Sequence, residues 1–287
     1  MTPVQPASYQ NLARGAIAAE IAARVQAFAG AAPARPQPCA PLNLLGLGDS
    51  WFDYPLDGPL FAQRNDVLAQ LPSVCAVTPR VLSLAHYGYT STQEMGLAKQ
   101  RQLTTALRST AFDAILFSAG GNDVAGDALV LWLNDAEDVR YEPAAALNAP
   151  RFDGALAVVR AAYLDLIALR DEYAPAAHVF AHTYDFPPVT GIGVCNLGPW
   201  LKPALAFCGW TDATQCDAIV RDLMLRFHAM VAAIAAQPEN RLTLVQTQGT
   251  LTGAGYWANE LHPTPAGFRQ IAQRFAAALA AQFPGRV

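Results

Sequence analysis

The sequence predicts a three-layer α/β sandwich built around a parallel sheet, and three observations lead there. Five short apolar runs bounded by turn residues read as buried strands: Leu42–Leu47, Val81–Ala85, Ala114–Ser118, His178–His182 and Arg241–Val245. Stretches with apolar residues at helical spacing alternate with them. Small, polar and ionisable residues gather just past the first four runs and some distance beyond the fifth, at what becomes a single edge of the sheet.

Taken in order, residues 1–38 begin with alanine-rich segments carrying Arg14, Glu20 and Arg24, which suit an amphipathic helix, and end in a proline-rich bridge, Pro33–Pro38, leading into the first strand. That strand stops abruptly in Gly48-Asp49-Ser50, followed at once by Trp51, Phe52 and Tyr54. Beyond the second strand, Ser91 with Glu94 reads as a capping box opening a helix that runs toward Leu107. Phe152–Tyr173 and Ala213–Ala236 repeat apolar residues at helical spacing. Near the end Thr264 can cap, Pro265 suits the first helical position, and Phe268, Ile271, Phe275 and Leu279 form one stripe. Residues 186–216 interrupt the alternation with a stretch rich in Gly, Pro and aromatics. It reads as a lid or substrate wall, or equally as a packed insertion. With no internal repeat and no linker, one domain spanning 1–287 is the simpler reading.

Composition narrows the function classes. The chain has 287 residues, of which 53% are hydrophobic and 15% charged, so it folds around a sizeable core rather than remaining disordered. A net charge of −4 with no basic cluster gives no electrostatic support for a nucleic-acid partner. No apolar run reaches membrane-spanning length. The N-terminus lacks a charged start followed by an apolar core, so no export signal is seen and the cytoplasm is the expected compartment. The five cysteines, Cys39, Cys75, Cys195, Cys208 and Cys216, have no zinc-site spacing and read as buried thiols, with a disulfide among the last three left open. No metal or other cofactor is expected.

In an open parallel sheet, ligands bind beyond the carboxyl ends of the strands. There the sequence places Gly48-Asp49-Ser50, then His86–Thr90, then Ala119–Gly126, then His182–Pro188, and after the fifth strand Trp257–Phe268. These blocks together resemble the SGNH, or GDSL-type, hydrolase superfamily. Gly48-Asp49-Ser50 resembles its first block, with Trp51 where leucine is common. Gly88 resembles the second-block glycine, Gly120–Asp123 the third block, and the segment around His262 the last. The resemblance runs from about Leu42 to Phe268, and its strength lies in four blocks in the right order. It implies a flavodoxin-like α/β/α sandwich with a five-stranded parallel sheet.

The resemblance assigns roles. Ser50 is the candidate nucleophile and His262 the base that takes its proton. The backbone N–H groups of Ser50 and Gly88 and the side-chain amide of Asn122 are the candidate oxyanion donors. Trp51, Phe52, Tyr54, Trp200 and Trp210 are candidate substrate-site aromatics, with core packing the plain alternative. One departure stands out. The family pattern places an aspartate three residues before the histidine, and here that residue is Asn259, followed by Glu260. Asn259 or a backbone carbonyl is the favoured group to orient His262, Glu260 is a close rival, and Asp185 is more remote.

The expected activity is hydrolysis of a small carboxylic ester through a Ser50 acyl-enzyme, as in a serine esterase or lipase. The alternatives are an acyltransferase using the same residues, a carbohydrate O-acetylesterase, and a catalytically weak ligand-binding protein on the same fold.

Overall fold

The computed structural model describes residues 19, 22–30, 40–54, 66–194 and 197–287. Five parallel strands form its centre, β1 (Asn43–Gly48), β2 (Arg80–Ser83), β3 (Ala114–Ser118), β4 (His178–His182) and β5 (Leu242–Val245). They lie in the order β2-β1-β3-β4-β5. The predicted runs coincide with these strands to within two residues. β5 starts after Arg241 because that residue has a φ of 42° and closes a 3₁₀ turn over Pro238–Asn240.

The helices are α1 (over residues 22–30), α2 (Val67–Val74), α3 (Ser91–Glu94), α4 (Leu97–Ser109), α5 (Gly121–Val124), α6 (Leu129–Trp132), α7 (Ala149–Tyr173), α8 (Lys202–Phe207), α9 (Ala213–Ala235) and α10 (Pro265–Gln282). α2 packs on α10, while α7 packs against α3, α4 and α9. With right-handed crossovers, this strand order puts α2 and α10 on one face and α4, α7 and α9 on the other. β3 is buried at every position, as a central strand covered on both faces must be.

Of the two predicted caps, Thr264 holds and Ser91 does not. Thr264 accepts the Gly267 N–H, with Pro265 at the first helical position. The last stripe, Phe268, Ile271, Phe275 and Leu279, is wholly buried. The predicted helix from Ser91 to Leu107 is instead two helices, broken at Met95-Gly96. The cap there is Thr90, whose backbone N–H donates to Gln93 Oε1 at 2.9 Å. Ser91 is occupied elsewhere: its N–H and hydroxyl both donate to Asp123 at 2.7 Å. Glu94 points inward beside Lys99 at 3.9 Å, and burial raises its carboxyl well above the usual range.

Residues 186–216 are not a single loop. They include α8 and the start of α9, which is capped by Asp212 accepting the Gln215 N–H at 2.9 Å. Cys75, Cys208 and Cys216 are free thiols. Pro33–Pro38, Cys39 and Cys195 lie outside the described residues. Among the described residues no helix is long and apolar enough to cross a membrane.

Two turns bring the strand ends together at the switch point between β1 and β3, where the strand order reverses and a crevice opens. Gly48 adopts a φ of 151°, and a Cβ there would sit 2.4 Å from the Ser118 carbonyl. The contact is used: the Asp49 N–H donates to that carbonyl at 3.0 Å. Gly120, at a φ of 108°, precedes α5 and leaves no room for a Cβ against Phe227 and Val159. Only glycine fits either position.

Candidate active site

The crevice holds Ser50 at the end of β1 and Asn122 on α5, and the segment preceding α10 brings in His262. Ser50 Oγ lies 2.8 Å from His262 Nε2. Beside this contact, the Trp51 indole N–H donates to the Leu261 carbonyl at 3.0 Å, tying the serine turn to the histidine segment. His262 Nδ1 lies 3.0 Å from Asn259 Oδ1. The same oxygen accepts the backbone N–H groups of Leu261 at 3.0 Å and His262 at 2.9 Å. Those two fixed donors identify the atom as oxygen, so the imidazole carries its proton on Nδ1 and presents the lone pair of Nε2 to Ser50.

The His262 ring is buried between the Tyr54 ring, at 4.9 Å, and the edge of Trp200, at 5.3 Å. Burial pushes its pKa down to about 4. Asn259 is 3% exposed, and its Nδ2 has no hydrogen-bond partner. Asn259 thus lies against the ring.

Glu260 is a different case and corrects the rival expectation. Its carboxylate accepts backbone N–H groups from Gly191 at 2.7 Å, Trp200 at 2.6 Å, Leu201 at 2.7 Å and Lys202 at 3.2 Å. All four donors lie in the segment after β4, so Glu260 fastens that segment down rather than orienting His262. Asp185 is likewise committed, to the N–H groups of Phe186, Gly249 and Leu251 at 2.7, 2.5 and 2.6 Å.

Asn122 donates to the Tyr89 carbonyl at 2.9 Å, which draws the turn containing Gly88 toward α5. Gly88 occupies that exposed turn at a φ of 74°. The cap of α5 is Gly120, so Asn122 is not needed for capping.

The aromatic candidates divide. Trp51 lines the pocket beside Ser50, while Tyr54 and Trp200 flank His262. Phe52 is core: it stacks on His182 at 5.8 Å and meets Phe275 of α10 at 5.6 Å. Trp210 is also core, 1% exposed with its indole N–H on the Asn134 carbonyl at 3.0 Å. Both expectations fail for the same reason: a large apolar ring next to a polar motif can as easily turn inward.

Sequence reasoning missed a polar network beneath the serine turn. Asp49 accepts the Trp51 N–H at 3.0 Å, the Ser118 hydroxyl at 2.8 Å and the Tyr184 hydroxyl at 2.6 Å. His182 Nε2 lies 2.9 Å from Ser118 Oγ, and its Nδ1 accepts the Tyr184 N–H at 3.2 Å. Burial raises Asp49 to about 6 and lowers His182 to about 3. The one available signal was Ser118, a hydroxyl ending an otherwise apolar strand.

No protein-family model and no curated protein sequence matches the chain. Solved structures do match. A lipase from a goat rumen metagenome superposes with a TM-score of 0.53 at 13% identity, covering 83% of this chain and 97% of its own. The fold is that of the SGNH hydrolases. An extracellular lipase from Streptomyces rimosus aligns over 83% of this chain and 99% of its own at 19% identity, with a TM-score of 0.47. On this SGNH fold, the four sequence blocks fall at the ends of β1, β2 and β3 and ahead of α10.

Proposed function

We propose that the chain hydrolyses carboxylic esters, with Ser50 as nucleophile and His262 as general base. The observation that carries this reading is the 2.8 Å contact between Ser50 Oγ and His262 Nε2, with Nδ1 already engaged by Asn259. A serine hydroxyl reacts usefully only when a base is positioned to take its proton.

The steps follow from that geometry. Ser50 Oγ attacks the ester carbonyl carbon as its proton passes to His262 Nε2. The carbonyl oxygen becomes an oxyanion, received by the backbone N–H groups of Ser50 and Gly88 and by the Asn122 amide. That amide has two hydrogens, and the bond to Tyr89 uses one. Collapse of the intermediate breaks the bond to the alcohol oxygen, which leaves with the proton from His262. Water then attacks the acyl-enzyme, gives its proton to His262, and the acid departs as the proton returns to Ser50. No step requires a metal or an organic cofactor.

The test is turnover of p-nitrophenyl esters by wild type and Ser50→Ala. Wild type should hydrolyse at least one ester, and the variant should lose about 10⁴-fold or more in kcat. Equal rates in the two proteins would remove Ser50 from the chemistry. A folded wild type that is inert and resists a fluorophosphonate label would favour a ligand-binding role.

A further inference from the structure

Asn122 stands on α5, a helix of 4 residues that is too short to hold itself in place. Its cap residue is Gly120, which has no side chain, so the first N–H of the helix, on Gly121, needs an acceptor from elsewhere. Tyr184, just past the end of β4, supplies it: its hydroxyl oxygen accepts that N–H at 3.0 Å. The hydroxyl has one hydrogen, which it donates to Asp49 Oδ2 at 2.6 Å, the length of a hydroxyl bonded to a carboxylate. Asp49 immediately precedes Ser50. One phenolic oxygen thus joins the turn that carries Ser50 to the helix that carries Asn122. Burial, with the Asp49 carboxylate alongside, holds the phenol well above its ordinary value, so it keeps that hydrogen.

Two further observations single out this side chain. Its backbone has a φ of 55°, in the left-handed region that a bulky residue avoids. The conformation is held from both sides: the Tyr184 N–H donates to His182 Nδ1 at 3.2 Å, and the Thr247 hydroxyl donates to the Tyr184 carbonyl. Backbone held in such a region gathers at functional sites. The second observation is Gly121. A Cβ there would meet the Tyr184 ring at 2.9 Å, so glycine is needed for the hydroxyl to reach the helix. Gly121 is itself helical, and the requirement is therefore one of space.

We infer that Tyr184 is a positioning residue for the oxyanion site, its hydroxyl setting where the Asn122 amide stands relative to Ser50; this rests on the roles proposed above for Ser50 and Asn122. A donor stabilises the oxyanion only when it is already within hydrogen-bond reach of the oxygen that forms as Ser50 attacks. Serine and amide must therefore be held at one separation. The sheet fixes the ends of β1 and β3 by pairing Gly48 with Ser118, and Asn122 lies beyond that last pair. The other bonds of its segment run elsewhere. The Asn122 amide donates to the Tyr89 carbonyl, and Asp123 accepts from Ser91, so both tie α5 to the chain between β2 and α4. The Tyr184 hydroxyl ties it to the serine turn.

The experiment measures kcat and KM on p-nitrophenyl esters for wild type, Ser50→Ala, Asn122→Ala, Tyr184→Phe and the double variant Asn122→Ala/Tyr184→Phe, with thermal melts to verify folding. Tyr184→Phe, which removes only the oxygen, should lower kcat by about 10–10²-fold and leave KM within about twofold. In the Asn122→Ala background the same change should cost less than about threefold, because the amide it positions is gone. Loss of packing alone would lower both backgrounds by the same factor. Gly121→Ala, which pushes α5 off an intact hydroxyl, should behave alike, alone and with Asn122→Ala, and carries the test should Tyr184→Phe not fold. Suppose that wild type turns over and Ser50→Ala does not. Equal losses in the two backgrounds, an unchanged kcat in Tyr184→Phe, or full activity of Asn122→Ala then each overturn the inference while the esterase reading stands. Equal activity of Ser50→Ala and wild type, or an inert wild type, overturns the esterase reading and the inference with it.

Discussion

Asn259 Oδ1 sits 3.0 Å from His262 Nδ1 and 2.9 Å from the backbone nitrogen of the same histidine, so one amide oxygen fixes both the ring and its peptide. An aspartate at this place would hold the ring and also stabilise its protonated form. The amide does only the first. With His262 buried and held near 4, the ring stays neutral far into acid, and the base proposed above stays competent there.

The first prediction is a pH profile. The acid limb of kcat/KM on an uncharged ester should lie near pH 4 rather than near the ordinary histidine value of about 6.5. Asn259→Asp puts a carboxylate on Nδ1, favours the imidazolium, and should move the limb upward by about 1–3 pH units. Rate profiles of the two proteins between pH 3.5 and 8 check this, and coincident limbs would separate Asn259 from the base.

Removing the amide should be worse than changing its charge. Asn259→Ala leaves Nδ1 and two backbone N–H groups without their acceptor, and kcat should fall by about 10²-fold or more. A readout that a purely structural role would not move is the contrast with Asn259→Asp, which should retain turnover at neutral pH. If both variants lose equal activity there, orientation of the ring is not what the residue supplies.

Asn122→Ala should lower kcat by about 10²–10³-fold with little change in KM, the mark of a donor engaged in the transition state. A rise in KM with kcat intact would instead assign the amide to its bond with the Tyr89 carbonyl alone.

Glu260→Gln should destabilise the protein. A neutral amide offers one oxygen and an NH₂ group to a site that presents four N–H donors. Losing hydrogen bonds to a buried charge costs about 2–4 kcal/mol in all. Chemical denaturation measures the loss. The acid limb of the rate profile should stay where it is in the wild type, since the carboxylate does not touch the ring.

Stability should fall on acidification. His182 and His262 have folded-state pKa values of about 3 and 4, below the unfolded value of about 6.5. Below pH 6.5 the unfolded chain therefore binds two protons that the folded protein refuses. Asp49 acts in the opposite sense. Its folded value of about 6 exceeds the unfolded value of about 3.9, so between those limits the folded protein holds a proton the unfolded chain has lost. Glu94 and Asp123, whose carboxyls burial also raises, act with Asp49, and His178 and His228, lowered by burial, act with the other two rings. His182, His262 and Asp49 together should make the free energy of unfolding lower at pH 5 than at pH 7 by about 2–3 kcal/mol. Urea titrations at the two values decide it, and equal midpoints would mean that one of the rings is charged in the folded state.

The strands were legible because a parallel sheet covered on both faces writes itself as short apolar runs. β3 and β4 were readable to the residue, Ala114–Ser118 and His178–His182. The contact between Ser50 and His262 was legible because both lie in blocks at strand or helix ends. What stayed hidden depended on direction rather than residue type. Glu260 adjoins Asn259 in sequence, yet the chain turns so that the two side chains serve different partners. Phe52 adjoins Trp51, yet one fills the core against α10 and the other reaches the pocket. The hub at Asp49 needed Ser118 and Tyr184 from separate strand ends, and no local pattern announces such a meeting. The break at Met95-Gly96 escaped because Ser91 satisfies Asp123 instead of its own helix.

The cage around Glu260 bears on how firmly the neighbourhood of His262 is held. Swinging Gly191 and residues 200–202 outward would strip a buried negative charge of its four donors, and that charge sits two positions from His262 in the chain. These four positions are fixed as a frame beside the ring rather than as a flap. A lesion at any of the four donors would loosen Glu260 and be felt at His262 as a change in alignment.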